Sequence, residues 1–263
     1  MLTAFLRNQI CRALTGQKRI ALERRKPSPD EIARRYEAVQ EFGMYLHVPF
    51  CRQICPYCPY NKELFRPDLA ARFTSAVKKE MDFYSGIVGR RAVTSLYIGG
   101  GTPTTMLRCG LQDILDHLHR SFNVRCDIHM ESHPNDLTNE NLDRILSMGV
   151  RHLSTGVEAL QDRHLMALRR PYTVRQAREA VDRALEKGFK CVNVDVMFAL
   201  PGQTCSEVEQ TGRTLVDMGV HQVAAYPLFR FPYTPMGENG QANNYGLRTV
   251  FKRRKMLRIL ERI

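Results

Sequence analysis

From residue 44 onward the chain alternates short runs of branched and aromatic residues with longer stretches of helical period, six times over. The strand-like runs are Met44–Val48, Val93–Ile98, Asp127–Glu131, His152–Gly156, Val192–Phe198 and Gln222–Leu228. Between the first two, Pro67–Ser85 spaces Leu69, Phe73, Val77 and Met81 at near-helical intervals, which puts them on one helix face. Leu111–Phe122, Asn139–Met148, Val174–Lys187 and Glu207–Met218 follow, and a last helix runs from about Leu247 to the end. Met148-Gly149, Lys187-Gly188 and Met218-Gly219 read as glycine stops. Strand–helix alternation of this kind predicts an α/β fold with parallel strands.

The 263 residues and 30.3 kDa fit one large α/β barrel or two small domains. No apolar run approaches the roughly 18 residues that span a bilayer, and Met1–Arg7 is too short for a signal peptide. Eight cysteines without a secretion signal fit a reducing compartment, so the expected location is cytoplasmic. The net charge of +12 sits at the ends. Residues 1–40 hold nine Lys and Arg against four Asp and Glu, residues 248–263 seven against one, and the centre 23 against 22. The expected organisation is a basic helical N-terminal extension over 1–40, a core over 41–247 and a basic C-terminal helix over 248–263. Prolines at Lys26-Pro27-Ser28-Pro29-Asp30 break the extension. No nucleic-acid motif accompanies the charge, so both ends read as solvated faces and no nucleic-acid partner is expected.

The chemistry concentrates in Cys51-Arg52-Gln53-Ile54-Cys55-Pro56-Tyr57-Cys58, directly after the first strand. Three thiolates so spaced can wrap one face of a small iron–sulfur cluster and leave one metal corner open. Clusters that only transfer electrons are mostly held by four cysteines. A zinc knuckle wants four N or S ligands. There is no second C-x-x-C, and the nearest candidate, His47, lies on the preceding strand. A disulfide would need an oxidising compartment. The cluster reading is the stronger, with zinc and incidental cysteines as the alternatives.

This loop, the preceding Tyr45-Leu46-His47-Val48-Pro49-Phe50 and the aromatic Tyr57 resemble the radical S-adenosylmethionine (SAM) superfamily. More narrowly they resemble the branch of oxygen-independent coproporphyrinogen III oxidase and its haem-handling and methyltransferase relatives. Ordered matches continue through Gly99-Gly100-Gly101-Thr102-Pro103-Thr104, Glu131-Ser132-His133-Pro134, Gly156-Val157-Glu158, Arg170, Asn193-Val194-Asp195 and Leu200-Pro201-Gly202-Gln203-Thr204. The resemblance implies a partial (β/α)6 TIM-like radical SAM barrel, with reactive groups at the carboxyl ends of the strands. It implies two cofactors, a [4Fe-4S] cluster and SAM. Cys51, Cys55 and Cys58 would hold three irons, and the amino and carboxylate groups of SAM the fourth. Gly100, Gly101 and Thr102 would lie against the SAM amino group, with Glu131 accepting from it. Arg170 would take the SAM carboxylate, Asp195 and Glu158 the ribose hydroxyls, and Tyr45 the methionine end. Tyr57 and the backbone of Tyr226 and Leu228 would hold adenine. Close relatives usually carry glutamine at the Glu158 position.

The decarboxylating oxidases carry a fourth cysteine two residues after the triad, where this chain has Tyr60. The resemblance therefore implies a coproporphyrinogen-oxidase-like radical SAM enzyme acting on a small organic substrate, with a tetrapyrrole the first candidate. A radical methyltransferase or cyclopropanase on an aromatic or natural product, and a haem chaperone-like binding protein, are the alternatives. A flavodoxin- or ferredoxin-type electron donor is the implied protein partner. Relatives in this branch usually continue into a C-terminal domain, which the expected organisation lacks. Phe231-Pro232-Tyr233-Thr234-Pro235-Met236 reads as a rigid aromatic loop, facing substrate or plugging the barrel bottom.

Overall fold

The computed structural model describes residues 25–238 and 247–263. Contacts divide the chain into one unit ending at Ala38 and a second unit, Val39–Ile263. In the first, helix α1 (Pro29–Tyr36) starts where the prolines break the sequence. Ser28 caps it, exchanging hydrogen bonds with Glu31, and Pro29 takes the first turn, where its missing N–H costs nothing. Residues 1–24 of the expected extension, Cys11 included, lie outside the described residues.

The second unit is built on six parallel strands in chain order: β1 (Glu41–Val48), β2 (Ala92–Gly100), β3 (Ile128–Ser132), β4 (Val150–Glu158), β5 (Cys191–Phe198) and β6 (Gln222–Pro227). A short strand, Asn123–Val124, adds beside the start of β2. Helices α2 (Pro67–Val88), α3 (Leu111–Ser121), α4 (Asn139–Ser147), α5 (Asp162–Ala167), α6 (Val174–Glu186), α7 (Cys205–Asp217), α8 (Pro235–Glu238) and α9 (Leu247–Leu260) complete it. The sheet is an open path from β1 to β6, so the fold is an α/β half-barrel.

Strand β5 shows how the sequence specifies the two faces. Val192, Val194 and Val196 are buried, while Cys191, Asn193 and Asp195 between them are only partly covered. The valines point outward to the helices, and the polar residues line the lumen. The core lies between sheet and helices, with Leu96, Ile98, Ile114, Leu115, Leu118, Met130 and Ile145 almost wholly covered. Each such side chain stabilises the fold by about 1.5–3 kcal/mol. Thr173 and Thr204 cap α6 and α7, each exchanging hydrogen bonds with a residue three positions on, Gln176 and Glu207. Helix α9 packs on α7 within the same unit, burying Met256 beside Phe198 and Val208. Gly212 on α7 is the notch for this contact, since a Cβ there would lie 2.7 Å from Ile263 Cδ1.

Candidate functional site

The cysteine loop leaves the carboxyl end of β1 and is closed at its stem. Phe50–Cys51 pairs in parallel with Glu63–Leu64, the Glu63 N–H donating to Pro49 O (2.8 Å) and the Phe65 N–H to Cys51 O (2.9 Å). Between these ends the loop is pinned from four directions. Arg52 Nη1 donates to Asp136 Oδ1 (2.5 Å), and Gln53 Nε2 to Arg169 O (2.8 Å). The Met236 N–H donates to Pro56 O (2.9 Å), and His47 Nε2 to Asn61 O (2.9 Å). His47 is thus a fastener of the loop.

Cys51, Cys55 and Cys58 line one cavity of about 640 Å³ at the carboxyl ends of the strands. Arg170 Nη1 donates to Cys55 Sγ (3.2 Å), and Thr102 Oγ1 to Cys51 Sγ (3.6 Å). Burial pushes the Cys51 and Cys58 thiols up. Among the described residues no three His, Cys, Asp or Glu side chains, the triad included, close around the position of a single metal ion; a cluster asks only that each sulfur reach its own corner. Cys109, Cys126, Cys191 and Cys205 are free thiols scattered elsewhere.

The other residues singled out in the sequence converge on the same cavity. Tyr45, Tyr57, Gly100, Gly101, Thr102, Glu131, Glu158, Arg170, Asp195 and Tyr226 all line it. The glycines are small for the protein's own sake. A Cβ on Gly101 would meet the Pro49 carbonyl at 2.7 Å, and Gly100 sits at φ +117 against the His47 ring. The N–H groups here are committed, that of Gly100 to Glu131 Oε2 (2.9 Å), of Gly101 to Val48 O (2.7 Å) and of Thr102 to Phe50 O (2.8 Å). What the segment can still offer an ammonium is carbonyl oxygen.

Four carboxylates line this space, and with Asp136 taken up by Arg52 and Thr104 three of them remain for a ligand. Glu131 accepts from Tyr97 OH (3.0 Å) and from Gly100, yet burial still pushes its carboxyl up. Glu158 follows an irregularity in β4 and holds a positive φ of 70, which aims its buried carboxyl at Arg170, 3.9 Å away; burial pushes it up as well. Such backbone strain costs about 1–3 kcal/mol and is commonest at functional sites. Asp195 accepts from Ser154 Oγ (2.9 Å) and Asn193 Nδ2 (2.7 Å), but burial pushes it up to about 7.

Arg170 answers these acids from a nearly covered position. Its Nε donates to Tyr172 OH (2.7 Å), its Nη1 to Cys55 and its Nη2 to Gly156 O (2.8 Å). A guanidinium has five N–H groups, so one on each Nη is left, the pair that grips a carboxylate in parallel. Tyr57 lines the cavity and also packs in the core, its buried hydroxyl without a hydrogen-bond partner.

Leu228 departs from the expectation. It is buried in the core and does not reach the cavity wall. Its N–H donates to Phe198 O (2.8 Å) and so is not free to hold adenine, and its carbonyl already accepts from Arg253 Nη2 (2.8 Å). The neighbours Tyr226, Pro227 and Phe229 provide that wall. The aromatic loop belongs to the mouth, for Phe231 lines the cavity and Met236 is tied to the cysteine loop.

Further wall residues were given no binding role from the sequence: Arg52, Lys62, His133, Asn135 and Asp136, together with Tyr60, which stood out there only as the replacement for a fourth cysteine. Burial, with Arg170 and Arg52 beside it, pushes His133 down to about 3. Its Nδ1 accepts from the Asn135 N–H (3.2 Å), so the neutral ring carries its proton on Nε2. The conspicuous Glu131–Pro134 motif was the one available pointer to it.

A family model described as the radical SAM superfamily matches residues 45–215. The chain belongs to the radical SAM superfamily. Heme chaperone HemW of Bacillus subtilis is 31% identical over 193 residues, covering 72% of this chain and 51% of that protein. Oxygen-independent coproporphyrinogen III oxidase of Bradyrhizobium diazoefficiens is 30% identical over 175 residues, covering 65% and 39%. The solved Escherichia coli coproporphyrinogen III oxidase, described as a radical SAM enzyme, superposes with a TM-score of 0.78 at 21% identity, covering 87% of this chain and 54% of that one. The chain spans about half the length of the curated relatives it matches. No helix among the described residues is long and apolar enough to cross a membrane.

The cofactors of a radical SAM protein are a [4Fe-4S] cluster and SAM, and this cavity's donor set fits both. Three soft sulfur ligands suit iron–sulfur. Three carboxylates suit a ligand bearing a sulfonium and an ammonium, and the open side of Arg170 suits its carboxylate.

Proposed function

We propose that the chain is a radical SAM enzyme of the coproporphyrinogen III oxidase-like branch, acting on an organic substrate at this cavity. Supporting this reading above all, the three thiols share one cavity wall with Glu131, Glu158, Asp195 and Arg170. Cys51, Cys55 and Cys58 would hold the cluster. The cluster and SAM together supply reductive cleavage of a sulfonium C–S bond to methionine and a 5′-deoxyadenosyl radical.

The chain's own part is binding, orientation and exclusion of water. Arg170 presents its free N–H pair to the SAM carboxylate while its other nitrogens stay fixed by Tyr172, Cys55 and Gly156. Glu131, held by Tyr97 and Gly100, accepts from the ammonium. Asp195 and Glu158 accept from ribose hydroxyls, and Glu158 cannot donate as an amide would. Tyr57, Tyr226 and Phe229 enclose the adenine, and Tyr45 flanks the methionine end. The electron comes from a flavodoxin- or ferredoxin-type donor. A tetrapyrrole is the leading substrate class.

The relatives named heme chaperone favour a second reading, a haem-binding protein that keeps the cluster. Anaerobic reconstitution with iron and sulfide, followed by SAM and dithionite, separates the two. An enzyme forms 5′-deoxyadenosine, faster with its substrate. Tight haem binding without substrate-dependent 5′-deoxyadenosine would establish the chaperone, and failure to take up iron would remove both.

A further inference from the structure

One cation of the cysteine loop has no part in the reading above. Lys62 immediately precedes the short segment that closes the stem, where Glu63 pairs with Phe50 and Leu64 with Cys51. From there its side chain turns back across the loop. The Nζ donates to Cys58 O (2.7 Å) and to Tyr60 O (3.1 Å), and Lys62 lines the cavity together with the three cysteines. The Cys58 N–H donates to Cys55 O (3.2 Å), so both backbone groups of the last cysteine are engaged. The ammonium is near enough to the Cys51 and Cys58 sulfurs for its charge to act on both.

The cations that line the cavity differ in what answers them. Arg52 is paired with Asp136, and Arg170 stands 3.9 Å from Glu158. Lys62 forms no ion pair with a carboxylate among the described residues, and its two bonds go to carbonyl oxygens. Carbonyl dipoles hold an ammonium in place without cancelling its charge. An ammonium is also a compact point charge, with no second function here as a planar fork. The potential of an iron–sulfur cluster follows the net charge and the hydrogen bonding around it. Reduction adds a negative charge, so a fixed cation close by favours the reduced form over the oxidised one.

Resting on the reading of the triad as cluster ligands, we infer that Lys62 is a positioning residue that sets the electron affinity of the cluster: its ammonium holds the Cys58 carbonyl and raises the reduction potential. The step concerned is the entry of one electron. The donor is oxidised, the cluster is reduced, and no bond forms or breaks.

Anaerobic potentiometry of the reconstituted protein with dithionite, read by EPR of the reduced cluster, tests this. Lys62→Met keeps the length of the side chain and removes its charge, whereas Lys62→Arg keeps the charge. At the ambient potential where the wild-type cluster is half reduced, the ratio of reduced to oxidised cluster falls at least about threefold in Lys62→Met. Iron and sulfide contents stay at the wild-type level. Lys62→Arg stays closer to the wild type than to the methionine variant. Lys62→Gln, uncharged but still a donor to the carbonyls, shows the same fall should the methionine variant not hold its cluster. A wild-type ratio in a fully loaded uncharged variant overturns the inference. So does an equal fall in the arginine variant, the mark of disturbed loop geometry, or loss of the cluster from both uncharged variants, which would leave Lys62 a fastener only. A wild type that takes up no iron removes the cluster reading and this inference with it. The iron assay shows that before any potential is measured, so the two failures are told apart.

Discussion

Arg170 Nη1 lies 3.2 Å from Cys55 Sγ across 115 positions of sequence. The contact joins the tip of the loop after β1 to the segment after β4, so one guanidinium serves both the cysteine triad and the acid-lined half of the cavity.

Arg170→Ala leaves Glu158 buried and without its cation. Removing one partner of a buried ion pair costs about 3–5 kcal/mol, so the metal-free variant melts well below the wild type. It also binds SAM at least tenfold more weakly. Arg170→Lys recovers little of either, because an ammonium cannot span Tyr172, Cys55 and Gly156 together. Wild-type melting and SAM affinity in the alanine variant would discount the contact.

Cys51→Ala, Cys55→Ala and Cys58→Ala each bring reconstituted iron and the visible sulfur-to-iron absorbance to background. Cys109→Ala and Cys205→Ala retain both. Iron and sulfide assays on the five proteins decide it, and full iron content in any of the first three would contradict the assignment.

Asp195 titrates about 7 against its ordinary 3.8, chiefly through burial. A folded value above the unfolded one means stability that is complete below pH 4 and is lost as pH rises through 7. The loss is on the order of 4 kcal/mol for a difference of this size. Asp195→Asn is therefore close to wild type at pH 4 and more stable at pH 8 in urea melts of the metal-free chain. Parallel pH profiles for the two proteins would refute this.

Gly101→Ala and Gly212→Ala place a Cβ equally close to a neighbour, 2.7 Å in each case. At Gly101 the neighbour is the Pro49 backbone, and at Gly212 it is the flexible tip of Ile263. Overpacking costs about 1–3 kcal/mol where nothing can yield. Gly101→Ala accordingly loses stability at that scale together with iron uptake, and Gly212→Ala loses a fraction of it with uptake intact. Thermal melts and iron assays of both variants check the difference.

Strands and helices were legible because each carries its signal locally. In β5, valines alternate with Cys191, Asn193 and Asp195, a period of two that survives because the lumen stays polar. The five central helices lie within three residues of their expected bounds, and α6 opens on a Thr-x-x-Gln pattern readable from sequence. Helix α5, six residues long, is too short to show a period. The clustering of the triad with Glu131, Glu158, Arg170 and Asp195 followed from the order of motifs along parallel strands. Long-range pairings carry no such signal. Nothing in Arg52 announces Asp136, 84 positions away, and nothing in Leu228 announces that Phe198 and Arg253 engage its backbone. The aromatic loop was ambiguous for the same reason, its position being fixed by one hydrogen bond from Met236 to Pro56.

The paired segments Phe50–Cys51 and Glu63–Leu64 act as a clasp on the ring of residues between them. Because the clasp is made of backbone, it closes whether or not iron is present. Chelation would then empty the ring and leave the half-barrel standing, and reloading would reach the sulfurs through the mouth rather than by unthreading the chain.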